Sequence, residues 1–179
     1  KIEKLETEKI NLTNYEAVVF TSSNAIRFMN IEKFNYKIKC FCVGSATEFK
    51  AKQAGFVNTY SSEGSVDSLI ELIIRTMEQK SGKILYLSSE FISKDLDKDL
   101  ANAGYSVDRI SNYTSLPIEE INENTLNFFK KKPPDVIFIY SSKSAKNLIK
   151  LINKYSLLNV VTRSHLMCIS EKVLLLLKD

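Results

Sequence analysis

The sequence predicts an α/β protein of two lobes, each with helices covering both faces of a parallel sheet, and three observations carry that reading. Apolar, strand-like runs alternate with helix-period segments along most of the 179 residues, and parallel neighbours need such crossover helices between them. One segment recurs: Val19-Phe20-Thr21-Ser22-Ser23-Asn24-Ala25 returns as Ile139-Tyr140-Ser141-Ser142-Lys143-Ser144-Ala145. Each copy is followed by a second apolar run ending in a turn, Cys40-Phe41-Cys42-Val43-Gly44-Ser45 and Leu166-Met167-Cys168-Ile169-Ser170-Glu171. A duplicated α/β lobe is the simplest account of these facts.

In chain order, strands are expected near Ala17 to Phe20, Lys39 to Val43, Val57 to Tyr60, Ile84 to Leu87 and Val107 to Ser111, each short, apolar and bounded by turn residues. Helices are expected between them at about Asn24 to Phe34, Ala46 to Ala54, Val66 to Gln79 and Ser93 to Ala103, where apolar residues recur at three- and four-residue spacing. Ala54-Gly55-Phe56 and Ala103-Gly104-Tyr105 place glycine where a helix needs a left-handed residue after its last turn. Gly64-Ser65 offers a cap for the helix opening at Val66, with Asp67 favourably placed in its first turn. The alternation through Ser111 gives one flavodoxin-like, three-layer α/β/α lobe. Beyond Pro117 the pattern restarts: a helix near Ile121 to Phe129, a Lys130 to Pro134 breaker, a strand at Val136 to Tyr140, a helix over Ser144 to Tyr155, a strand near Leu166 to Ile169 and a helix over Lys172 to Leu177. Two strands are too few for an independent sheet, so this second unit is expected to be incomplete as it stands. The chain opens without Met in a Lys/Glu-rich stretch, which suggests that residues preceding Lys1 lie outside the numbering.

Hydrophobic residues make up 44% and charged residues 26%, an ordinary balance for a folded domain. The formal charge of +4 comes without a dense Arg/Lys stripe, so no nucleic-acid partner is expected and an anionic small molecule suits the charge better. Cys40, Cys42 and Cys168 are odd in number, lie in apolar strands and lack metal-ligand spacing, which points to buried thiols in a reducing cytosol. No apolar stretch is long enough to suggest a membrane span. His165 stands alone, with neither a nucleophile-base pair nor a metal cluster to join. Both common nucleotide-binding loops are absent, and Asp95, Asp97 and Asp99 read as one solvated helix surface.

What remains is a set of hydroxyl-rich turns where strands become helices: Thr21-Ser22-Ser23, Gly44-Ser45-Ala46-Thr47, Leu87-Ser88-Ser89-Glu90 and Ser141-Ser142-Lys143-Ser144. In an open α/β sheet such turns lie at the carboxyl ends of the strands, where ligands bind. Free backbone N–H groups there favour carboxylates or phosphates, and helix capping by the same Ser and Thr residues is the alternative reading.

A series of short motifs runs in order along the chain: Val18-Val19-Phe20-Thr21-Ser22-Ser23-Asn24-Ala25, Val43-Gly44-Ser45-Ala46-Thr47, Ala54-Gly55-Phe56, Gly64-Ser65, Ile84-Leu85-Tyr86-Leu87, Lys94-Asp95-Leu96, Ala103-Gly104-Tyr105, Tyr113-Thr114 and Ile139-Tyr140-Ser141-Ser142-Lys143-Ser144-Ala145. In order and spacing they resemble those of the uroporphyrinogen-III synthase family. The resemblance covers nearly the whole chain and implies two flavodoxin-like lobes joined by a two-stranded connection. Residues 13–109 would form the continuous lobe and 116–179 the second, which would also need preceding residues; 1–12 and 110–115 would be the connections. It further implies ring closure of the linear tetrapyrrole hydroxymethylbilane to uroporphyrinogen III, with inversion of the last pyrrole ring, loss of water and no cofactor. A cytoplasmic monomer that takes its substrate in a transient hand-over from the upstream deaminase is implied as well.

By the same resemblance Tyr113 would assist departure of the hydroxyl. Thr21, Ser22, Ser23, Ser45, Thr47, Ser88, Ser89, Ser142, Lys143 and Ser144 would hold acetate and propionate groups, and Lys94 would pair with one carboxylate. Two departures stand out: Ser170-Glu171-Lys172-Val173 replaces a common Gly-Pro-Thr-Thr turn, and Ser88-Ser89 replaces a frequent Arg-Gly pair. A non-enzymatic two-lobed protein that binds a polycarboxylate is the alternative of a different class, and a receiver-like module lacks the acids it would need after Phe20.

Overall fold

A computed structural model describes residues 1–78 and 82–177 of the chain, which divide into a unit from Ile2 to Ser115 and a unit made of Lys1 with the residues from Leu116 onward. The first unit runs β1 (Ile2–Lys4), β2 (Ile10–Asn11), a 3-10 turn (Leu12–Asn14), β3 (Ala17–Phe20), α1 (Ser23–Arg27), β4 (Ile31–Lys33), β5 (Lys39–Val43), α2 (Gly44–Gln53), β6 (Asn58–Ser62), α3 (Val66–Thr76), β7 (Lys83–Ser89), α4 (Leu96–Asn102) and β8 (Ser106–Ser115). Its sheet has the order β1-β8-β7-β3-β5-β6. All pairings from β8 to β6 are parallel, and β1 adds an antiparallel edge through Ile2, Glu3 and Lys4 against Ser115, Thr114 and Tyr113.

The expected α/β alternation is therefore present as a mostly parallel sheet. Its progression reverses at the central β3, with β5 and β6 on one side and β7 and β8 on the other; this doubly wound order differs from the 2-1-3-4-5 order of flavodoxin. Period-two geometry sends alternate β3 residues to opposite faces. Val18 and Phe20 join Cys40, Cys42, Leu85 and Leu87 under α1 and α2, while Ala17 and Val19 join Phe41, Ile84 and Tyr86 under α3 and α4. Covering both faces is why the strands are apolar without alternation, and each fully buried large side chain contributes roughly 1.5–3 kcal/mol. Cys40 and Cys42 are free thiols in the first of these layers, their Sγ atoms 3.8 Å apart. Their mutual hydrogen bond, with burial, pushes the Cys40 thiol far up and keeps it protonated.

Local chemistry sets the boundaries. Ser22, Ser65 and Ser141 each accept a hydrogen bond from a backbone N–H of the helix they precede, at 3.3, 3.1 and 3.1 Å. Gly55 has φ +102°, and the Phe56 N–H reaches back to the Ala51 carbonyl, closing α2 as expected. The helix expected over Asn24 to Phe34 is corrected: α1 stops at Arg27 and Ile31–Lys33 forms β4, which pairs with β2. Met29, Ile31 and the residues around them satisfy a strand period as well as a helical one. The tie that decides is tertiary, because the Asn30 carbonyl accepts from the Ile10 N–H at 2.8 Å and the Asn30 Nδ2 donates to the Thr7 carbonyl at 2.8 Å. The helix expected from Ser93 starts only at Leu96, where Asp97 and Asp99 occupy its first turn. That leaves Ile92, Ser93 and Lys94 in a loop. The Val66 helix ends at Thr76, and Gln79, the last residue expected in it, lies outside the described residues.

In the second unit α5 (Glu123–Lys131), β9 (Val136–Ile139), α6 (Ser142–Tyr155), α7 (Leu158–Val161), β10 (His165–Cys168) and α8 (Glu171–Leu175) follow in turn. β9 and β10 are parallel, with Ile137, Ile139, Leu166 and Cys168 packed among Ala145, Leu148 and Val173. Val136, Phe138 and Met167 on the opposite face are exposed.

Glu48 on α2 clips that helix to β6, accepting from Lys52 Nζ at 2.7 Å and from Thr59 Oγ1 at 2.8 Å. These bonds, Lys52 first, hold its carboxyl below the ordinary 4.5. A depressed carboxylate contributes stability that is present above its unfolded pKa and lost as pH falls through the folded one. Urea midpoints at pH 7 and pH 3.5 should therefore converge in Glu48→Gln, which lacks a pH-dependent contribution of about 0.5–1 kcal/mol; equal pH dependence in both proteins would refute the assignment.

Candidate active site

Beyond the last hydrogen bond of a parallel strand the backbone turns away from its neighbours, and in the first unit these ends enclose a cavity of about 310 Å³. Thr21 and Ser22 enter it from the end of β3, Val43 from β5, Gly64 and Val66 from the approach to α3, Tyr86 and Ser89 from β7, Phe91 to Lys94 from the loop before α4, and Tyr113 from β8. The cavity straddles β3, the strand at which the sheet order reverses, which is where open α/β sheets leave a crevice.

Tyr113 owes its placement to an irregularity. The β7–β8 register pairs Ser88 with Ser111 and then Ser89 with Tyr113, so Asn112 is an extra residue on β8. Asn112 is wholly buried and donates through Nδ2 to the Ala25 carbonyl in α1 at 2.7 Å. The same side chain thus ties the helix that follows Thr21 and Ser22 to the strand that carries Tyr113, which is only 7% exposed.

A second clamp holds the β7 end. Arg109 lies opposite Tyr86 in the β7–β8 register. Its guanidinium donates to Ser88 Oγ at 2.9 Å, to the Ser89 carbonyl at 2.9 Å and to the Glu90 carbonyl at 3.0 Å. A guanidinium from the neighbouring strand thus holds the Ser88-Ser89 end of β7.

Five residues singled out in the sequence meet at the cavity: Thr21, Ser22, Ser89, Lys94 and Tyr113. The others stand elsewhere. Ser23 is the first residue of α1, Ser45 is exposed on α2, Thr47 is buried one turn into α2, and Ser88 is turned to Arg109. Ser142, Lys143 and Ser144 open α6 in the second unit, Ser144 with its hydroxyl 2.9 Å from Ser141 Oγ. The turn after β5 contributes Val43 rather than its hydroxyls.

Sequence reasoning missed Tyr86, Gly64 and the apolar Phe91 and Ile92 as lining residues. Tyr86 could have been found from strand period, since Val19 and Thr21 share a face and Val19 is the register partner of Tyr86. The Tyr86 hydroxyl lies 3.2 Å from Thr21 Oγ1. Burial, outweighing the bond to Thr21 and the charge of Arg109, pushes this phenol above its ordinary 10.0, so it stays a neutral donor. Lys94 Nζ is bonded to Asp67 and lies 3.6 Å from Asp99; the Asp67 bond above all raises its pKa. The cavity thus presents hydroxyls and one ammonium already held by two carboxylates. Among the described residues no group of three His, Cys, Asp or Glu side chains could hold a metal ion.

The family described as Uroporphyrinogen-III synthase HemD matches residues 2–179. The chain belongs to the uroporphyrinogen-III synthase family. Uroporphyrinogen-III synthases close hydroxymethylbilane to uroporphyrinogen III, and this chain is an enzyme of that kind. Its fold is similar to that of solved family structures. The uroporphyrinogen-III synthetase of Helicobacter pylori aligns with a TM-score of 0.62 at 17% identity, over 98% of this chain and 87% of that one. A mutant uroporphyrinogen III synthase of the extremely thermophilic bacterium Thermus thermophilus gives 0.53 at 16% identity over 99% and 76%, and the wild-type protein 0.51 at 18% over 97% and 75%. At these identities the likeness concerns the fold. Among curated proteins, none matches the chain in sequence.

A substrate carboxylate that paired with Lys94 would have to displace Asp67. On that geometry Asp67→Asn should lower KM for hydroxymethylbilane by about two- to five-fold, the range of an exposed ion pair, and steepen its salt dependence, because the freed ammonium meets the anion directly. A raised KM in steady-state assays would show that Asp67 instead helps the site.

Proposed function

We propose that the cavity at the carboxyl edge of the first unit's sheet is where the ring closure takes place, with Tyr113 as the group that assists loss of water. The observation that carries this reading is the lining itself: one phenol fixed by a buried β-bulge shares a single cavity with the hydroxyls of Thr21, Ser22 and Ser89 and the ammonium of Lys94. A linear tetrapyrrole bearing acetate and propionate groups needs donors in fixed directions, and hydroxyls held by strand ends and caps supply them.

The chemical step is departure of the terminal hydroxyl. Tyr113 donates its proton to that oxygen as the C–O bond breaks, water leaves, and the electron pair of the pyrrole nitrogen completes an azafulvene. The N–H proton of that ring balances the proton that Tyr113 gave up. Attack by the last ring at its substituted carbon then forms the spiro intermediate, from which the inverted ring is delivered. Without enzyme the same substrate closes to the symmetric type I isomer, so holding geometry is the larger part of catalysis, and proton donation adds to it.

Thr21, Ser22 and Ser89 are proposed to orient carboxylates, and Lys94 to pair with one. Ser142, Lys143 and Ser144, in the first turn of α6, are proposed to serve the second unit in the same way. The finer architecture, two lobes that are flavodoxin-like in their three-layer α/β/α build though not in strand order, with a two-stranded connection, is part of this reading, as are a cytoplasmic monomer and transfer of substrate from the upstream deaminase. No helix of the described residues is long and apolar enough to cross a membrane, which is compatible with that setting. The non-enzymatic binding alternative has no observation in its favour.

The test generates hydroxymethylbilane in situ with its deaminase, oxidises the products and separates the type I and type III isomers. Predominant type III is expected. Tyr113→Phe should keep its thermal midpoint within a few degrees while kcat falls about 10- to 100-fold, at or below the low end of general-acid contributions because substrate carboxyls can share the task. Type I alone from the unaltered chain would sink the reading, and an undiminished kcat in Tyr113→Phe would remove Tyr113 from its role.

A further inference from the structure

The cavity holds a second phenol that the reaction as written does not use. Tyr86 stands on β7 opposite Val19 of β3, so its ring lies on the face shared by Val19 and Thr21. Tyr86 is packed in the layer formed with Phe41, Leu96 and Leu100 and is 2% exposed, and it lines the cavity with its hydroxyl 3.2 Å from Thr21 Oγ1. Among the described residues, the 3.2 Å contact between Tyr86 OH and Thr21 Oγ1 is the one hydrogen bond made by either hydroxyl.

Proton counting then gives a direction. The pair has two O–H protons and only one is used within it, so whichever oxygen accepts keeps its own proton free to donate. Both residues line the cavity, and neither side chain is free to swing away: Tyr86 is locked by its buried ring, and Thr21 is β-branched at the end of a buried strand. Burial keeps the phenol neutral, so the pair offers a donor and not an anion.

We propose that Tyr86 and Thr21 form a coupled hydroxyl subsite that donates its one unspent hydrogen bond to a carboxylate oxygen of the bound tetrapyrrole, with Tyr86 positioning the Thr21 hydroxyl. This inference rests on the cavity being the substrate site. An uncoupled Thr21 hydroxyl would rotate among three staggered positions, and the phenol selects one of them. Tyr86 is therefore a residue of substrate placement, separate from the water loss assigned to Tyr113.

Steady-state kinetics of Tyr86→Phe, Thr21→Val, Thr21→Ser and the Tyr86→Phe/Thr21→Val double variant, each with isomer analysis, test it. Tyr86→Phe is expected to raise KM for hydroxymethylbilane about five-fold, the effect of one hydrogen bond, with kcat changed less than about two-fold. Thr21→Val should do the same, Thr21→Ser should keep KM low, and the double variant should be no worse than the more impaired single one. An unchanged KM in Tyr86→Phe, or a double effect equal to the product of the single ones, would overturn the proposal while type III formation by the unaltered chain left the parent reading standing. Should Tyr86→Phe fail to fold, the Val/Ser contrast at position 21 decides the case, equal KM values in the two overturning it. Type I isomer alone from the unaltered chain would overturn both readings.

Discussion

A parallel sheet covered on both faces leaves its central strand no room for polar side chains, and that constraint organises much of the first unit. β3 is buried at all four of its residues and hydrogen-bonded to β5 and β7. Chemistry is therefore displaced to the carboxyl edge, one or two residues past the last buried position, where Phe20 gives way to Thr21 and Leu87 to Ser88 and Ser89. The hydroxyl-rich turns are the polar remainder of an apolar pattern.

Edge position alone would leave these groups splayed, and two buried polar contacts gather them. The additional residue Asn112 tilts β8 so that Tyr113 reaches the edge beside Ser89, and its amide ties α1 to the same strand. Arg109 fastens three consecutive residues of the turn after β7 from across the sheet. A bulge followed by a guanidinium clamp is a costly arrangement in a sheet interior, since each unpartnered polar group left behind would cost about 1–3 kcal/mol. Arg109 engages Nε and Nη2 and Asn112 engages Nδ2, while the Asn112 acceptor Oδ1 has no partner among the described residues.

The strands, the glycine stops and the Ser65 cap were legible because each depends on residues within one turn of one another. The failures were tertiary. The stretch after Arg27 satisfies two periods, and only the distant Thr7 and Ile10 backbones select β4 over helix. The start of α4 moved because acidic residues cluster at Asp97 and Asp99, beyond the apolar residues that set the periodicity. At the site, Thr21, Ser22, Ser89, Lys94 and Tyr113 were legible as turn chemistry or through family resemblance, whereas Ser45 and Thr47 were not distinguishable from helix-surface and helix-core residues without the rotation of α2. Tyr86 looked like core because its ring is packed in the core, although the residue also lines the cavity. Arg109 was hidden for a related reason, as strand pairing brings it to residues some twenty positions earlier, Ser88, Ser89 and Glu90.

The charge distribution of the cavity bears on how it can treat a polyanion. A site crowded with free lysines would attract every carboxylate of a tetrapyrrole without telling one ring from another, because a point charge has little directional preference. Here the lining ammonium is already shared between Asp67 and Asp99, and the remaining polar lining is made of hydroxyls whose directions are set by a cap, a bulge and a phenol. Ser22 is held by the α1 N-terminus, Tyr113 by Asn112 and Thr21 by Tyr86. Selection between two ring closures that start from one substrate depends on which way the last ring faces. Directional donors discriminate such orientations, and diffuse positive charge does not. Under the proposed reading of the cavity, the partnered state of Lys94 leaves orientation to the hydroxyls, whose fixed directions can tell one presentation of the last ring from the other.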